Sequence, residues 1–519
     1  MTDRLTLYPC GTSADVESNI ELEIKQLGAR VFPLPGANNA PLKSCIASVT
    51  NLGAVTLIAQ RRVLDPDFGA EHSAYYSHQF GSVPRTCTRI HFFLCISTVG
   101  EDPLNFLDRV LQDSYLGFIT LRPIPRAPVG ATILAARVAF PHVVCSKDKF
   151  PVRIAGKHFE VDGTPFMQQD NAVAVCAQAS IWMALRTLRR REGDRAHNPA
   201  QITDAATRYL ISDRTRPNKG GLTIQQMAEA VRAAGYSPLL MRFPKGSTAL
   251  TSTRKQLHAY VESDIPVLLA LNAPSGGHAV AVVGHTWNAT PAASEIIRVT
   301  HHASGINMSF CHAASWTPAL LINNDNSGPY KVLPPPSTGS AYDLAQASCG
   351  ISLLPIDVFM TGDEALACGI DVLGQLLAGL LKQNKLKYEI ESISNSLVVR
   401  LLLADKSRLR QWAANVVMPP ELSAWLRKHD LPRRVWVFEV HQKANFGAHA
   451  PHVQQQTLVG LVLIDPTGDA LDADTNIIMS YFNFAVCAGV GGGMLIHGYP
   501  VTAVQTTNHG AIQPLERPR

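Results

Sequence analysis

The chain has 519 residues, of which 46% are hydrophobic and 17% charged, with a mean hydropathy of +0.04. That balance can bury a large core, which excludes disorder over most of the length, and at roughly 150 residues per domain it predicts two to four domains. A formal net charge of +5 spread over the whole chain does not point to a nucleic-acid binder, which concentrates basic residues on one face.

Three regions follow one another. Residues 1–150 read as mixed α/β, with no motif that assigns them a role. Ala14–Leu27 has helical periodicity, with Val16, Ile20, Leu22, Ile24 and Leu27 as its apolar positions. Strand-like runs lie at Ala54–Ala59, Arg89–Ile96 and Gly117–Arg122. Pro123, Pro125 and Pro128 then precede another apolar run, Ala131–Phe140.

Residues 151–335 are ordered most clearly. Val152–Val161 is strand-like, and Ala174–Arg190 is a helix whose inner face carries Ala177, Ile181, Leu185 and Leu188. Thr223–Ala234 is a second helix, stopped by Gly235. Apolar strands follow at Pro266–Leu271, Ala279–Gly284 and Ala319–Ile322. Helices first and strands afterwards predict an α+β domain. The Pro334–Ser340 stretch reads as a linker. Residues 345–519 are again mixed α/β and of unassigned role, with a helix at Asp371–Leu381 and strands at Leu397–Leu403, Val435–Val440 and Leu458–Ile464.

The ten cysteines contain no CxxC pair, which argues against a zinc ribbon, a thioredoxin motif or a dense disulfide scaffold. The N-terminus lacks the layout of a signal peptide. No apolar run reaches the roughly 18 residues of a membrane span, and the longest, Phe482–Leu495, is broken by glycines. A cytoplasmic protein with reduced thiols is the expectation.

Chemistry is suggested first by Cys176, in the first turn of the predicted helix. Unpaired N–H groups and the helix dipole favour a thiolate there. An ordinary thiol is only about 3% ionised at pH 7, so a lowered pKa could raise the reactive fraction roughly thirtyfold. The plainer role for Cys176 is that of a small buried hydrophobe. His278 follows a glycine turn at the mouth of a buried strand, where an imidazole could accept the thiol proton, and His285 lies beyond Gly284 without that setting. The polar turn Asn323-Asn324-Asp325-Asn326-Ser327-Gly328 ends a later strand and could supply the group that orients the imidazole, although the same residues make an ordinary turn.

With Cys, His and Asp or Asn in this order, residues 160–335 resemble the papain-like cysteine peptidases, and most of all their bacterial branch similar to the bacteriocin-leader-processing peptidases. The resemblance rests on a glutamine before a helix-borne cysteine, on GGHAVAVVGH and on INNDNSGPY, supported by Pro266-Val267-Leu268-Leu269 and Gly221-Leu222-Thr223. It implies a papain-like central domain, a helix-borne cysteine packed on an antiparallel sheet. It also implies Cys176 as nucleophile, His278 as base and then acid, and Asp325 as orienting group, with Asn324 as the competing choice. Gln169, or Gln168 beside it, would complete an oxyanion hole with the Cys176 backbone N–H. Several features depart from the family pattern. The glutamines stand seven and eight residues before the cysteine, Ala177-Gln178 replaces the usual glycine, and the stretch between His278 and Asp325 is long.

The implied activity is hydrolysis of a peptide or isopeptide bond in a protein or peptide substrate, through an acyl-enzyme. Acyl transfer of the transglutaminase or acetyltransferase type uses the same triad, and an inactive domain serving as a binding module is the non-enzymatic alternative. No cofactor or metal is expected. His301, His302, Cys311, His312 and Trp316 match no standard zinc spacing. Arg186, Arg189, Arg190, Arg191 and Arg195 read as the solvated C-terminal end of a helix. Gly489–Gly493 lacks the lysine of a phosphate loop, and Asp465–Asp469 reads as a turn.

Overall fold

The computed structural model describes residues 4–27, 39–124, 126–138, 141–170, 172–173, 175–193, 197–211, 215–218, 220–244, 249–273, 276–303, 305–336, 340–384, 392–418, 420–447, 458–468 and 476–482. Gly489–Gly493, Arg195, Asp469, most of the Phe482–Leu495 run and the centre of the Pro334–Ser340 linker lie outside them.

Strand β1 (Leu5–Pro9) leads to helices α1 (Ser13–Gln26) and α2 (Ala40–Thr50), then β2 (Thr56–Val63) and α3 (Pro66–Ala74). Next come β3 (Cys87–Phe93), α4 (Pro103–Arg109), β4 (Tyr115–Leu121) and β5 (Val129–Ala135), followed by β6 (His142–Val144), β7 (Asp148–Ile154) and β8 (Lys157–Phe166). Helices α5 (Cys176–Glu192), α6 (Pro199–Thr207) and α7 (Ile224–Ala233) precede β9 (Tyr236–Arg242), α8 (Ala249–Glu262), β10 (Val267–Ala273) and β11 (Gly276–Thr286). Two hairpins follow, β12 (Arg298–Ala303) with β13 (Ile306–His312) and β14 (Leu320–Asn324) with β15 (Gly328–Leu333). Then come β16 (Ala347–Pro355), α9 (Gly362–Asn384), β17 (Leu397–Asp405), α10 (Lys406–Asn415), α11 (Pro420–Lys428), β18 (Arg434–Gln442), β19 (Leu458–Ile464) and β20 (Ile477–Phe482).

The strands form three sheets. The first runs β1-β2-β3-β4-β5-β8-β7. The second runs β15-β14-β11-β10-β16-β9, with β6 paired to the far end of β11. The third runs β12-β13-β17-β18-β19-β20. Neighbours are antiparallel throughout these sheets except for β13 and β17, which are parallel.

This arrangement corrects the expected fold class, an α+β, papain-like central domain flanked by two separate mixed α/β regions. The structure is a mixed fold whose three sheets take strands from across the chain. Sheet two recruits β6 from before residue 150 and β16 from beyond the Pro334–Ser340 stretch, while β7 and β8 belong to sheet one and the β12–β13 hairpin to sheet three. The cysteine-bearing helix is also not laid on one sheet with its other face in water. Ala177, Ala179, Ile181, Trp182, Met183, Ala184 and Leu185 are all buried, and α5 packs against both β8 and β11. A helix buried nearly all round is an interior helix, not an amphipathic surface one. The reason is pairing between distant segments. Periodicity marks a strand but not its partner, and fully buried strands such as β11 and β17 carry no directional pattern.

Candidate functional site

The loop before α5 sets where the helix begins. Asp170 Oδ1 accepts the backbone N–H groups of Ala172 and Val173, both at 2.9 Å, and Tyr76 Oη donates to its other oxygen at 2.6 Å. Val175 O then accepts the first helical bond, from Ala179 N, and Cys176 is the first helical residue. The neighbouring Gln168 is buried and points elsewhere. Its Oε1 accepts from Asn39 and from Val129 N, its Nε2 donates to Arg126 O, and its carbonyl receives Arg122 Nη2 at 2.7 Å. Gln169 is instead half-buried and donates from Nε2 to Asn326 Oδ1 at 2.6 Å, so it faces the turn that ends β14.

That turn is tied to the first sheet by two side chains of the INNDNSGPY segment to which the sequence reading gives no role. Asn323 donates to Thr164 Oγ1 and Pro165 O, and its oxygen accepts Tyr330 N. Tyr330 Oη bridges Leu134 O and Thr164 N. The segment carrying Gln169 and the turn carrying Asn324–Asn326 are thereby held side by side.

His278 lies near the start of β11, buried, with its ring stacked on Tyr342 at a centroid distance of 5.0 Å. Its Nε2 is 3.0 Å from Asn324 Oδ1 and 3.6 Å from Asp325 Oδ1. Asn324 Oδ1 also accepts Asn326 N at 2.9 Å, so this atom is an oxygen and His278 Nε2 is the donor. The neutral ring then carries its lone pair on Nδ1. Of the two orienting residues considered from the sequence, Asn324 makes the hydrogen bond. Asp325 sits beside the ring, buried, and neither of its oxygens has a hydrogen-bond partner among the described residues.

Cys176 joins this group through the residue after the histidine. The backbone N–H groups of Ala279, of Ala177 and of Cys176 itself lie close enough to Cys176 Sγ to favour its thiolate. One turn further along α5, Ser180 Oγ donates to Ala279 O at 2.9 Å, clamping the helix to β11. Cys176, His278, Asn324, Asp325 and Gln169 therefore converge from four separate segments.

The electrostatics differ from the helix-dipole expectation. Burial, and secondarily the Asp325 carboxyl, push the Cys176 thiol up, outweighing the three N–H groups that lower it. Burial also lowers His278, against the raising effect of its Asn324 bond. Both directions favour a neutral thiol and imidazole at rest. Burial pushes Asp325 up to about 8, which keeps it an uncharged acid at neutral pH.

The remaining sequence candidates are dispersed. Arg186 pairs with Asp67 at 2.8 Å and lies over the Trp182 ring, and Arg189 lies over Tyr236, so these two are packed and not simply solvated. His302 bonds Asn307, His301 lies 3.7 Å from Asp371, and Trp316 packs edge-on against Phe446. Asp465 Oδ1 accepts from Thr467 N and Oγ1, an Asx turn. Among the described residues no helix is long and apolar enough to cross a membrane. In comparisons with known proteins, no family model and no curated protein matches the sequence.

Proposed function

We propose that the chain is a thiol hydrolase that cleaves a peptide or isopeptide bond in a protein or peptide substrate. The observation that carries the reading is the tautomer of His278: Asn324 Oδ1 holds Nε2–H, leaving Nδ1 as a base, on the strand to which Ser180 of the cysteine-bearing helix is clamped through Ala279 O. The segments GGHAVAVVGH and INNDNSGPY, which resemble those of cysteine peptidases, also support it.

In the proposed cycle the thiol proton moves to His278 Nδ1 as Sγ attacks the carbonyl carbon, and the carbonyl oxygen becomes an oxyanion. The Cys176 backbone N–H and the second N–H of Gln169 Nε2, whose first is given to Asn326, would receive that charge. The imidazolium is stabilised by Asn324 Oδ1. It gives its proton to the leaving amine as the C–N bond breaks. Water, deprotonated by His278, then releases the acid and restores the thiol. A working thiol suits the reducing cytoplasm, the location we propose.

The test is incubation with a peptide library and mass spectrometry of products and protein. Wild type is expected to cut peptides and to accumulate an acyl adduct on Cys176, whereas Cys176→Ala and His278→Ala should do neither. Hydroxylamine should divert the adduct to a hydroxamate. If no peptide is cut and no adduct forms while Cys176 alkylates no faster than the other cysteines, the reading fails. A product seen only when an amine acceptor is added would assign acyl transfer instead.

A further inference from the structure

A second buried polar group lies farther along β11. Gly284 has no room for a side chain: a Cβ there would meet Val143 O at 2.0 Å. This close approach lets β6 pair with the end of β11, with Cys145 N bonding Val283 O at 2.8 Å, and it delivers the Cys145 thiol beside His285. A bulge between Val282 and Gly284 shifts the strand's alternation by one residue. His285 therefore faces as Val280 and Val282 do, toward α8, whose Leu257 and Val261 share their apolar cluster. The last residue of α8 is Glu262, and its Oε1 is 2.8 Å from His285 Nε2. Ligand atoms of Cys145, Glu262 and His285 all lie within 4.8 Å of one another, and all three residues are buried.

The hydrogen bonding at His285 is the informative feature. Its Nδ1 is 3.0 Å from Thr286 O, a carbonyl that can only accept, so Nδ1 carries the proton. In the neutral ring the Nε2 lone pair then points at a carboxylate oxygen, and two acceptors at 2.8 Å need a proton or a cation between them. A ring N–H given to a backbone carbonyl is also how metal-ligating histidines are oriented. The other oxygen of Glu262 is held by Arg400 Nε at 3.0 Å and Nη2 at 2.8 Å, and Arg400 Nη1 reaches Glu439 at 2.7 Å. Oε1 is the oxygen that faces His285 and would be the monodentate donor. Independently, the buried His258 aims Nε2 at this same Oε1 from 4.0 Å, while its Nδ1 has no hydrogen-bond partner among the described residues.

We propose that Cys145, Glu262 and His285 bind a structural zinc ion that locks sheet two to helix α8, with His258 of the same helix as the donor for the fourth position. Thiolate, imidazole and carboxylate together suit Zn²⁺ better than the oxygen-seeking Mg²⁺ or Ca²⁺. Zinc bonds of about 2.0–2.3 Å set tetrahedral donors roughly 3.3–3.8 Å apart, so Nε2 and Oε1 separate by about half an ångström as the thiol closes in. Loading replaces two protons, that of the Cys145 thiol and the one shared by His285 and Glu262. The net charge of the buried group is therefore unchanged, and no redox partner is needed. The residues come from three segments with no common motif, which is why zinc spacing in the sequence does not reveal them.

The experiment uses the full chain produced with zinc in the medium. We expect about one zinc per chain by elemental analysis, with one sulfur among the ligands by X-ray absorption. After exchange with Co²⁺ we expect a near-ultraviolet thiolate-to-cobalt band. Cys145→Ser should lose the band and Cys176→Ala should keep it. Should Cys145→Ser fail to fold, the wild-type absorption data decide alone. A zinc shell without sulfur overturns the proposal, as does a chain that binds neither metal, in which case a proton occupies the gap. So does a band that persists in Cys145→Ser and vanishes in Cys176→Ala.

Discussion

Two buried polar groups share strand β11, and they are built in opposite ways. Around His285 nearly every donor is answered: Glu262 meets His285 on one oxygen and Arg400 on the other, and Arg400 passes on to Glu439, which also receives His441 at 3.1 Å. Around His278 the ends are loose. Among the described residues Asp325 is buried without a hydrogen-bond partner, Gln169 is half-buried with Nε2 toward Asn326, and Cys176 is only half-buried. Saturated networks fix a structure, whereas groups left under-satisfied retain free energy that a substrate or a moving proton can draw on. The same strand thus serves as an anchor at one end and as the support of a candidate reactive centre at the other.

The comparison breaks most sharply under single substitutions. Cys176→Ala should abolish hydrolysis, a loss of roughly 10⁴-fold or more in kcat, and leave urea unfolding within about 1 kcal/mol of wild type. Arg400→Leu should do the reverse. It leaves Glu262 and Glu439 buried without their shared cation, which costs about 3–5 kcal/mol, read as a fall in the urea midpoint at unchanged slope. An equal loss of activity and stability in both variants would erase the distinction between the two groups.

A finer contrast lies within one dipeptide. Gln169→Ala removes a proposed oxyanion donor and should lower kcat by roughly 10²–10³ with little change in Tm. Gln168→Ala takes the side-chain acceptor from Val129 N and leaves Asn39 Nδ2 with Arg126 O alone, and should cost about 1–3 kcal/mol of stability, with activity of the folded fraction retained. Measuring kcat and Tm on both variants assigns the two roles or exchanges them.

The smallest effect concerns Asp325. Its carboxyl keeps a proton up to about pH 8 in the folded chain, whereas an unfolded aspartate releases it near pH 3.9. Between those values the folded state binds more protons, so this group's contribution to stability falls as pH rises. Asp325→Asn removes that loss, and its Tm relative to wild type should climb from pH 5 to pH 8. A constant difference across the range would mean that the carboxyl is already ionised at rest.

Much of the local structure is legible in the sequence. Leu458–Ile464 is a strand over its full predicted length, Thr223 caps α7 through a capping box with Gln226, and the four inner-face residues expected on α5 are all buried. Helices α3, α4 and α6 are absent from the sequence reading. Asp65-Pro66, Asp102-Pro103 and Asn198-Pro199 announce them, each an acceptor cap before a proline that fits the first helical turn. Helix α9 is longer than the expected Asp371–Leu381 and runs through Gly369, outside that range, as well as Gly374 within it. They are there for packing, since a Cβ would strike Phe438 and His301. Of the candidate site, Cys176 and His278 stand out through a helix start and a glycine turn. The choice of Asn324 over Asp325 depends on which side chain rotates toward Nε2, and no residue pattern encodes that. Tyr342 and Glu262 reach their partners only through tertiary pairing, so one-dimensional spacing is blind to them.

The contact at Gly284 has a genetic corollary. Any side chain there collides with the Val143 carbonyl, so a substitution would pry β6 from β11, withdraw Cys145 and slacken the strand that also carries His278. In a library selected for activity, codon 284 should remain glycine while neighbouring Val283 drifts among apolar residues. Revertants of a Gly284→Ala allele should arise by restoring glycine, because no distant change can create space inside a paired backbone.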